Sequence, residues 1–306
     1  MTSSRRAPAL RRVLAPLFVL LFGVVAPASA TDITIIVTAD VHYGSTVPDS
    51  SQENQLEAIS TMTGRAYPAV IGGVVGPIDA VFVCGDLVHG DTPEQEPPYD
   101  FFRDYAGNGC TGSVPYPVYE CSGNHDVEGV RDIIRSRHGE LYYSVEIDGI
   151  VFQSLDDKPS VSAIAYANQR LSALPPGTPI ILFHHRPLSA PGGYISEWDP
   201  NAVNAYRDMC AGKNVIAVLF GHDHYSRYYR WETLDTYKPG SVRHSPNTPF
   251  PESFIVIHIT DNKLTCASWI FGNDITPNGQ QHVWKGGAWG WTSQKTIQTL
   301  STTAAR

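Results

Sequence analysis

Five short apolar runs, each closing on a turn that carries Asp, His or Asn, constrain this chain more than any other feature of it. Ile33 to Ala39 leads into Asp40-Val41-His42. Ala80 to Cys84 leads into Gly85-Asp86. Val118 to Cys121 leads into Ser122-Gly123-Asn124-His125-Asp126. Ile180 to Phe183 leads into His184-His185-Arg186-Pro187, and Val215 to Phe220 into Gly221-His222-Asp223-His224. Short apolar runs bounded by glycine and polar turns read as buried strands. Between them, helical patterns are predicted over Asn54 to Thr63, Tyr99 to Tyr105, Val127 to Arg137, Val161 to Leu174 and Ala202 to Ala211. Alternating strands and helices give an α/β chain, in which the carboxyl ends of parallel strands lie along one edge. The fold would therefore deliver these groups to one place.

The rest of the chain frames that core. Leu141 to Ile147 and Ile150 to Leu155 flank Asp148-Gly149 and predict a tight hairpin. Arg227 to Leu234, Phe254 to Thr260 and Leu264 to Phe271 read as further strands, the last two joined at Asp261-Asn262. Residues 273–306 turn to Gly, Thr, Gln and Trp with little period and are expected to be a loosely packed extension. Residues 1–30 carry Arg5, Arg6, Arg11 and Arg12, then an apolar run from Val13 to Val25 and the small-residue site Ala28-Ser29-Ala30. That is the pattern of a cleaved export signal, too short for a stable membrane anchor; the Arg pairs leave the general and twin-arginine routes both open. Residues 31–272 then form one domain. Losing the four leader arginines takes the net charge from −8 to −12, which excludes a basic footprint for nucleic acid. Five cysteines make no dense framework or zinc ribbon. Cys84 reads as a buried thiol, and Cys110 with Cys121 as the expected disulfide.

Residue chemistry points to metal ions. Asp40-x-His42 and His222-x-His224 each put two side chains on one side of an extended segment. Carboxylates with imidazoles suit divalent Mn, Fe, Zn or Co rather than Ca, and Asn124 adds a neutral oxygen. The glycines at 85, 123 and 221 let the backbone turn just before each ligand. Any one of these elements is common in loops; all five, in order and each at a strand end, make a site.

The series Ala-Asp40-Val-His42, Cys-Gly-Asp86, Gly-Asn124-His125-Asp126, His185-Arg-Pro and Gly-His222-Asp-His224 resembles the calcineurin-like metallophosphoesterase superfamily over about residues 33–270. The resemblance implies a four-layer α/β/β/α sandwich with two facing mixed sheets. It implies two divalent transition metals, one on Asp40, His42 and His224, the other on Asn124, His185 and His222, with Asp86 bridging. His185 is preferred to His184 because it opens a His-x-Pro motif. A hydroxide bridging the metals would attack a phosphate ester, with His125 protonating the leaving oxygen and Asp126 orienting it. The substrate would be a small phosphate ester. A nucleotide or glycerophosphodiester phosphodiesterase, or a non-catalytic metal- or phosphate-binding relative, are the alternatives. Relatives carry Tyr or Asp three residues after the bridging aspartate, where this chain has His89; it is read as a solvated loop histidine. Arg186 and Arg243 are candidate phosphate contacts. Trp284, Trp289 and Trp291 are read as tail aromatics packing back on the core.

Overall fold

The computed structural model describes residues 31–43, 50–89, 114–188, 197–241, 251–271 and 287–297. The export signal, the Tyr99 to Tyr105 helix, Cys110, Arg243 and Trp284 lie outside these. Among the described residues, twelve strands form two mixed sheets of six. The first runs in the order β12-β11-β10-β1-β2-β3, built from β1 (Asp32–Thr38), β2 (Ala80–Cys84), β3 (Val118–Cys121), β10 (Ser253–Thr260), β11 (Lys263–Ile270) and β12 (Ala288–Thr296). The second runs β4-β5-β6-β7-β9-β8, from β4 (Ser144–Ile147), β5 (Ile150–Ser154), β6 (Ile180–Phe183), β7 (Val215–Leu219), β8 (Arg227–Trp231) and β9 (Leu234–Lys238). Helices α1 (Ser50–Ser60), α2 (Glu128–His138), α3 (Val161–Ser172) and α4 (Pro200–Cys210) complete the α/β sandwich. None of the described helices is long and apolar enough to cross a membrane.

Strand alternation explains how the layers stack. On β6, Ile181 and Phe183 join the core shared with β1, β2, β10 and β11, while Ile180 and Leu182 face the other way. Those outward residues pack with Ile164, Ala167 and Leu171 of α3 and Ala202, Tyr206 and Met209 of α4. Across the inner layer, Phe82 of β2 stacks on Phe152 of β5 with ring centres 4.4 Å apart, so aromatic contact joins the two sheets. β1, β2 and β3 are mutually parallel, as are β5, β6, β7 and β9. Parallel order sends the turns after β1, β2, β3, β6 and β7 to one edge.

Three readings of the sequence are corrected. Arg227 to Leu234 is not one strand: the chain reverses at Glu232, whose φ of 53° is left-handed, and makes the β8–β9 hairpin. Part of the C-terminal extension is an ordered edge strand. β12 pairs antiparallel with β11, Trp289 Nε1 donates to the Ala66 carbonyl, and Trp291 Nε1 donates to Ser226 Oγ. Cys121 is a free buried thiol directed at the Val83 carbonyl, so the expected pairing with Cys110 is not made. Both its position at the end of a buried strand and its burial-raised pKa keep it an inert thiol. Cys84 is buried and free, as read.

Candidate metal centre

The turns after β1 and β2 are stitched to each other before they carry any chemistry. Asp40 N donates to Gly85 O, His42 N to Asp86 O and Tyr43 N to Leu87 O, each at about 3 Å. The two sheets are joined at the same edge, where His222 N donates to the Asp40 carboxylate at 3.0 and 3.1 Å, and within the second sheet Gly221 N donates to His185 O at 3.0 Å. Asp40, His42, Asp86, His222 and His224 all have φ between 51° and 78°. Left-handed backbone is costly for residues other than glycine and persists where the surroundings enforce it, most often at functional sites. Of the three motif glycines, Gly85 alone has positive φ. Gly123 and Gly221 are there for closeness, since a Cβ at 123 would overlap Asp86 and one at 221 would press on Ala39, Cys84 O and Asp40.

The side chains converge in two groups that share Asp86. Asp40, His42, Asp86 and His224 bring ligand atoms within 4.8 Å of one another, and so do Asp86, His185 and His222. In the first, His42 Nε2 lies 3.2 Å from His224 Nε2 and 3.7 Å from Asp86 Oδ2, and His224 Nε2 lies 3.4 Å from Asp40 Oδ1. In the second, His185 Nε2 lies 3.2 Å from Asp86 Oδ2 and 3.1 Å from Asn124 Oδ1. The other nitrogen of His185 donates to the Cys84 carbonyl at 2.8 Å, which fixes the ring and leaves Nε2 for the group. His184 is elsewhere. Its Nδ1 meets Arg186 O at 2.9 Å, and its ring stacks on Phe220.

The electrostatics fit cations. Asp40 and Asp86 are fully buried, and buried charge needs a partner or a metal. Burial opposes ionisation of both, yet the neighbouring histidines hold both carboxyls below the usual range. Burial would also lower His185, but Asp86 and Asp40 outweigh it and raise its pKa to about 10. The pocket thus binds a proton where a cation would serve. His42 is fully buried, which pushes it down to about 3 and presents a neutral ring, the form that ligates metal. The donors, two carboxylates, four imidazoles and the Asn124 amide oxygen, are the mixed N/O set that divalent transition metals take.

A model of the calcineurin-like phosphoesterase family matches residues 33–226. The chain belongs to that family. No match was found among curated proteins. A dimetal phosphatase from Danio rerio is similar in structure, with 12% identity, a TM-score of 0.56, and 77% of this chain and 95% of that one covered. The anchor in the inner membrane complex of Plasmodium is also similar, at 10% identity and a TM-score of 0.55, covering 88% of this chain and 90% of that one. These likenesses support the sandwich fold of this calcineurin-like phosphoesterase.

Other residues fall differently from their sequence reading. His125 is half-buried beside His42, with ring centres 5.0 Å apart, and its backbone N–H donates to Asp86 Oδ1 at 2.8 Å. Asp126 is buried, and its oxygens accept from the amides of Leu87, Val88 and Gly123. Those bonds make it the tie between the Asp86 and Asn124 turns, rather than the orienting partner of His125. Arg186 is engaged by the carboxylates of Asp157 and Glu197, so a phosphate reaching it would have to displace Glu197. Glu197 Oε1 also lies 3.4 Å from His222 Nε2, a contact that no motif announced. Lys238 was missed as well. It is fully buried, 2.6 Å from Asp223, and its ammonium lies 3.4 Å from the Tyr225 ring centre. Burial lowers it to about 8 against the pull of Asp223, and the pair braces the turn holding His222 and His224.

His184 carries a pH prediction. Burial pushes it down to about 3 from 6.5, so the unfolded chain binds the extra proton between those values. Its contribution to stability is present above pH 6.5 and is lost as pH falls toward 3, by up to about 1.4 kcal/mol per unit. Urea unfolding of the metal-free protein from pH 4 to 7 should show a shallower slope in His184→Gln than in the unaltered chain. Equal slopes would remove His184 from the account.

Proposed function

We propose that this chain is an exported hydrolase of small phosphate esters. Its family and its clustered ligands make it a metal-dependent phosphoesterase by descent; catalysis, substrate and export are the inference. The observation that carries it is the sharing of buried Asp86 by two donor groups, with each residue of the family pattern present. Two divalent cations bound there would supply an activated water and neutralise charge on the phosphate oxygens. The protein's part is to hold the donors and manage the leaving group. Asp40, His42 and His224 would hold one cation, Asn124, His185 and His222 the other, and Asp86 both. His125 stands half-buried beside the first group, where it can protonate the departing oxygen. The preformed, left-handed ligand backbone spares the site reorganisation during turnover. Export is supported by residues 1–30 of the sequence, and the mature charge of −12 disfavours a polyanionic partner.

The test is a side-by-side assay of mono-aryl and bis-aryl phosphates on one metal-loaded sample. Hydrolysis of at least one, lost on chelation and restored by Mn, Zn or Co, is expected. The ratio of the two rates assigns the enzyme to monoesters or diesters. No hydrolysis by a sample holding two cations per chain would identify a binding protein instead.

A further inference from the structure

We propose that His89 is a positioning residue, accepting the Nδ1–H of His42 and so holding the Nε2 lone pair of His42 on the Asp40–Asp86–His224 group. The proposal rests on the metal-dependent reading above and adds a residue to it.

The β1–β2 ladder does not end at the ligand turns. It resumes beyond them as a parallel bridge between Tyr43 and Val88, with His89 N donating to Tyr43 O at 2.9 Å. That extension brings His89 back over His42. The two Nδ1 atoms lie 3.4 Å apart, and the rings meet edge to face at 5.1 Å. His89 also stacks on His125, with centres 4.9 Å apart and planes 28° from parallel, so the rings of His42, His89 and His125 form a triangle. His89 is therefore not the solvated loop histidine that its sequence position suggested.

A neutral imidazole has one N–H and one lone pair. His42 is fully buried, and its Nε2 is the atom that faces His224 and Asp86. With the lone pair there, the proton sits on Nδ1, where His89 Nδ1 is within reach as acceptor. His89 then carries its own proton on Nε2. Ligating histidines generally donate their second nitrogen in this way, usually to a carboxylate or carbonyl; here another imidazole takes that place. His42, His89 and His125 also stand close enough to suggest a third ion. That would require both nitrogens of His42 to be ligands at once, with both ring protons lost, whereas a hydrogen bond between the two Nδ1 atoms needs only one tautomer of each ring.

Two substitutions separate the acceptor from the ring. His89→Phe keeps a ring to stack on His125 and removes the acceptor. His89→Asn loses the ring but keeps an acceptor atom one bond beyond Cγ. Zinc titration against a chromophoric chelator should give two ions per unaltered chain. In His89→Phe one of the two should bind about 10–100-fold more weakly, and His89→Asn should recover to within about threefold of the unaltered chain. Equal weakening in both variants, or none in His89→Phe, overturns the proposal, as does a third ion on the unaltered chain. Should His89→Phe fail to fold, nitrogen-15 NMR of the zinc-loaded, unaltered chain decides: His42 protonated on Nδ1 and His89 on Nε2 is the expected pattern. A proton on His89 Nδ1 overturns the proposal while leaving the phosphoesterase reading intact. An unaltered chain that binds no zinc overturns both.

Discussion

Asp86→Ala is expected to abolish phosphate-ester hydrolysis and to leave less than one tightly bound cation per chain, in a protein that still folds. Asp86 belongs to both donor groups, so its loss subtracts a ligand from each. Activity should fall by far more than about 100-fold, since even outer partners of metal ligands cost 10–100-fold in affinity or activity. Folding should survive for a reason specific to this residue. The carboxylate is buried among histidines and its burial opposes its charge. Removing it relieves that desolvation, while it costs the hydrogen bond from the His125 amide and the contact with His185 Nε2, a ring whose burial then favours its neutral form. Metal analysis, the aryl phosphate assay and a thermal melt of the metal-free protein measure the three quantities. Two ions retained, or activity within tenfold of the unaltered chain, would falsify the shared-ligand account.

Gly221→Ala should be the most damaging substitution that touches no ligand. The added Cβ would stand 2.6 Å from Ala39 Cβ, 2.7 Å from the Cys84 carbonyl oxygen and 2.8 Å from Asp40 Oδ2. Two of those three atoms are fixed by the backbone of the opposite sheet, so the sheets have to part at the ligand edge. Overpacking of this kind costs about 1–3 kcal/mol, and the absence of flexible neighbours places this case at the upper end. The displacement falls on the Asp40 carboxylate, which accepts from His222 N. Both a lower urea midpoint and weaker binding of one cation are therefore expected. Unchanged binding with lowered stability would mean that the edge yields elsewhere.

Much of this site could be read from sequence because its residues are chemically expensive to place at strand ends. Asp40, Asp86 and His185 would have little reason to follow apolar runs unless something charged awaited them. The His-x-Pro form favoured His185 over His184, and His184, just past β6, packs on Phe220. What stayed hidden depends on geometry that no local pattern encodes. His89 looked like one more loop histidine because the resumed pairing of Tyr43 with Val88 has no sequence signature. Asp126 sits next to His125 in sequence, yet the turn aims its carboxylate at backbone amides. β12 was obscured by glycine and polar residues; its two tryptophans reach the Ala66 carbonyl and Ser226, contacts made only once the sheets have met. The β8–β9 reversal was masked because Arg227 to Leu234 contains no Gly, Pro, Asn or Asp to mark a turn.

The strand order of the first sheet bears on how the protein is made. All seven candidate ligands precede residue 226, where the family match ends, whereas β10, β11 and β12 come later in the chain. β1 pairs with β2 on one side and with β10 on the other, Asp32 opposite Thr260. During synthesis, β1 and the whole ligand set emerge while half of their sheet is still untranslated. An apolar strand with one bare edge is a template for wrong pairing, and long-range pairing is slow to form. The nascent chain thus depends on being kept unfolded or shielded until its last fifty residues are available. Export in extended form, one of the two routes that the leader sequence leaves open, would meet that need, because the described strands would then reach the site of folding together.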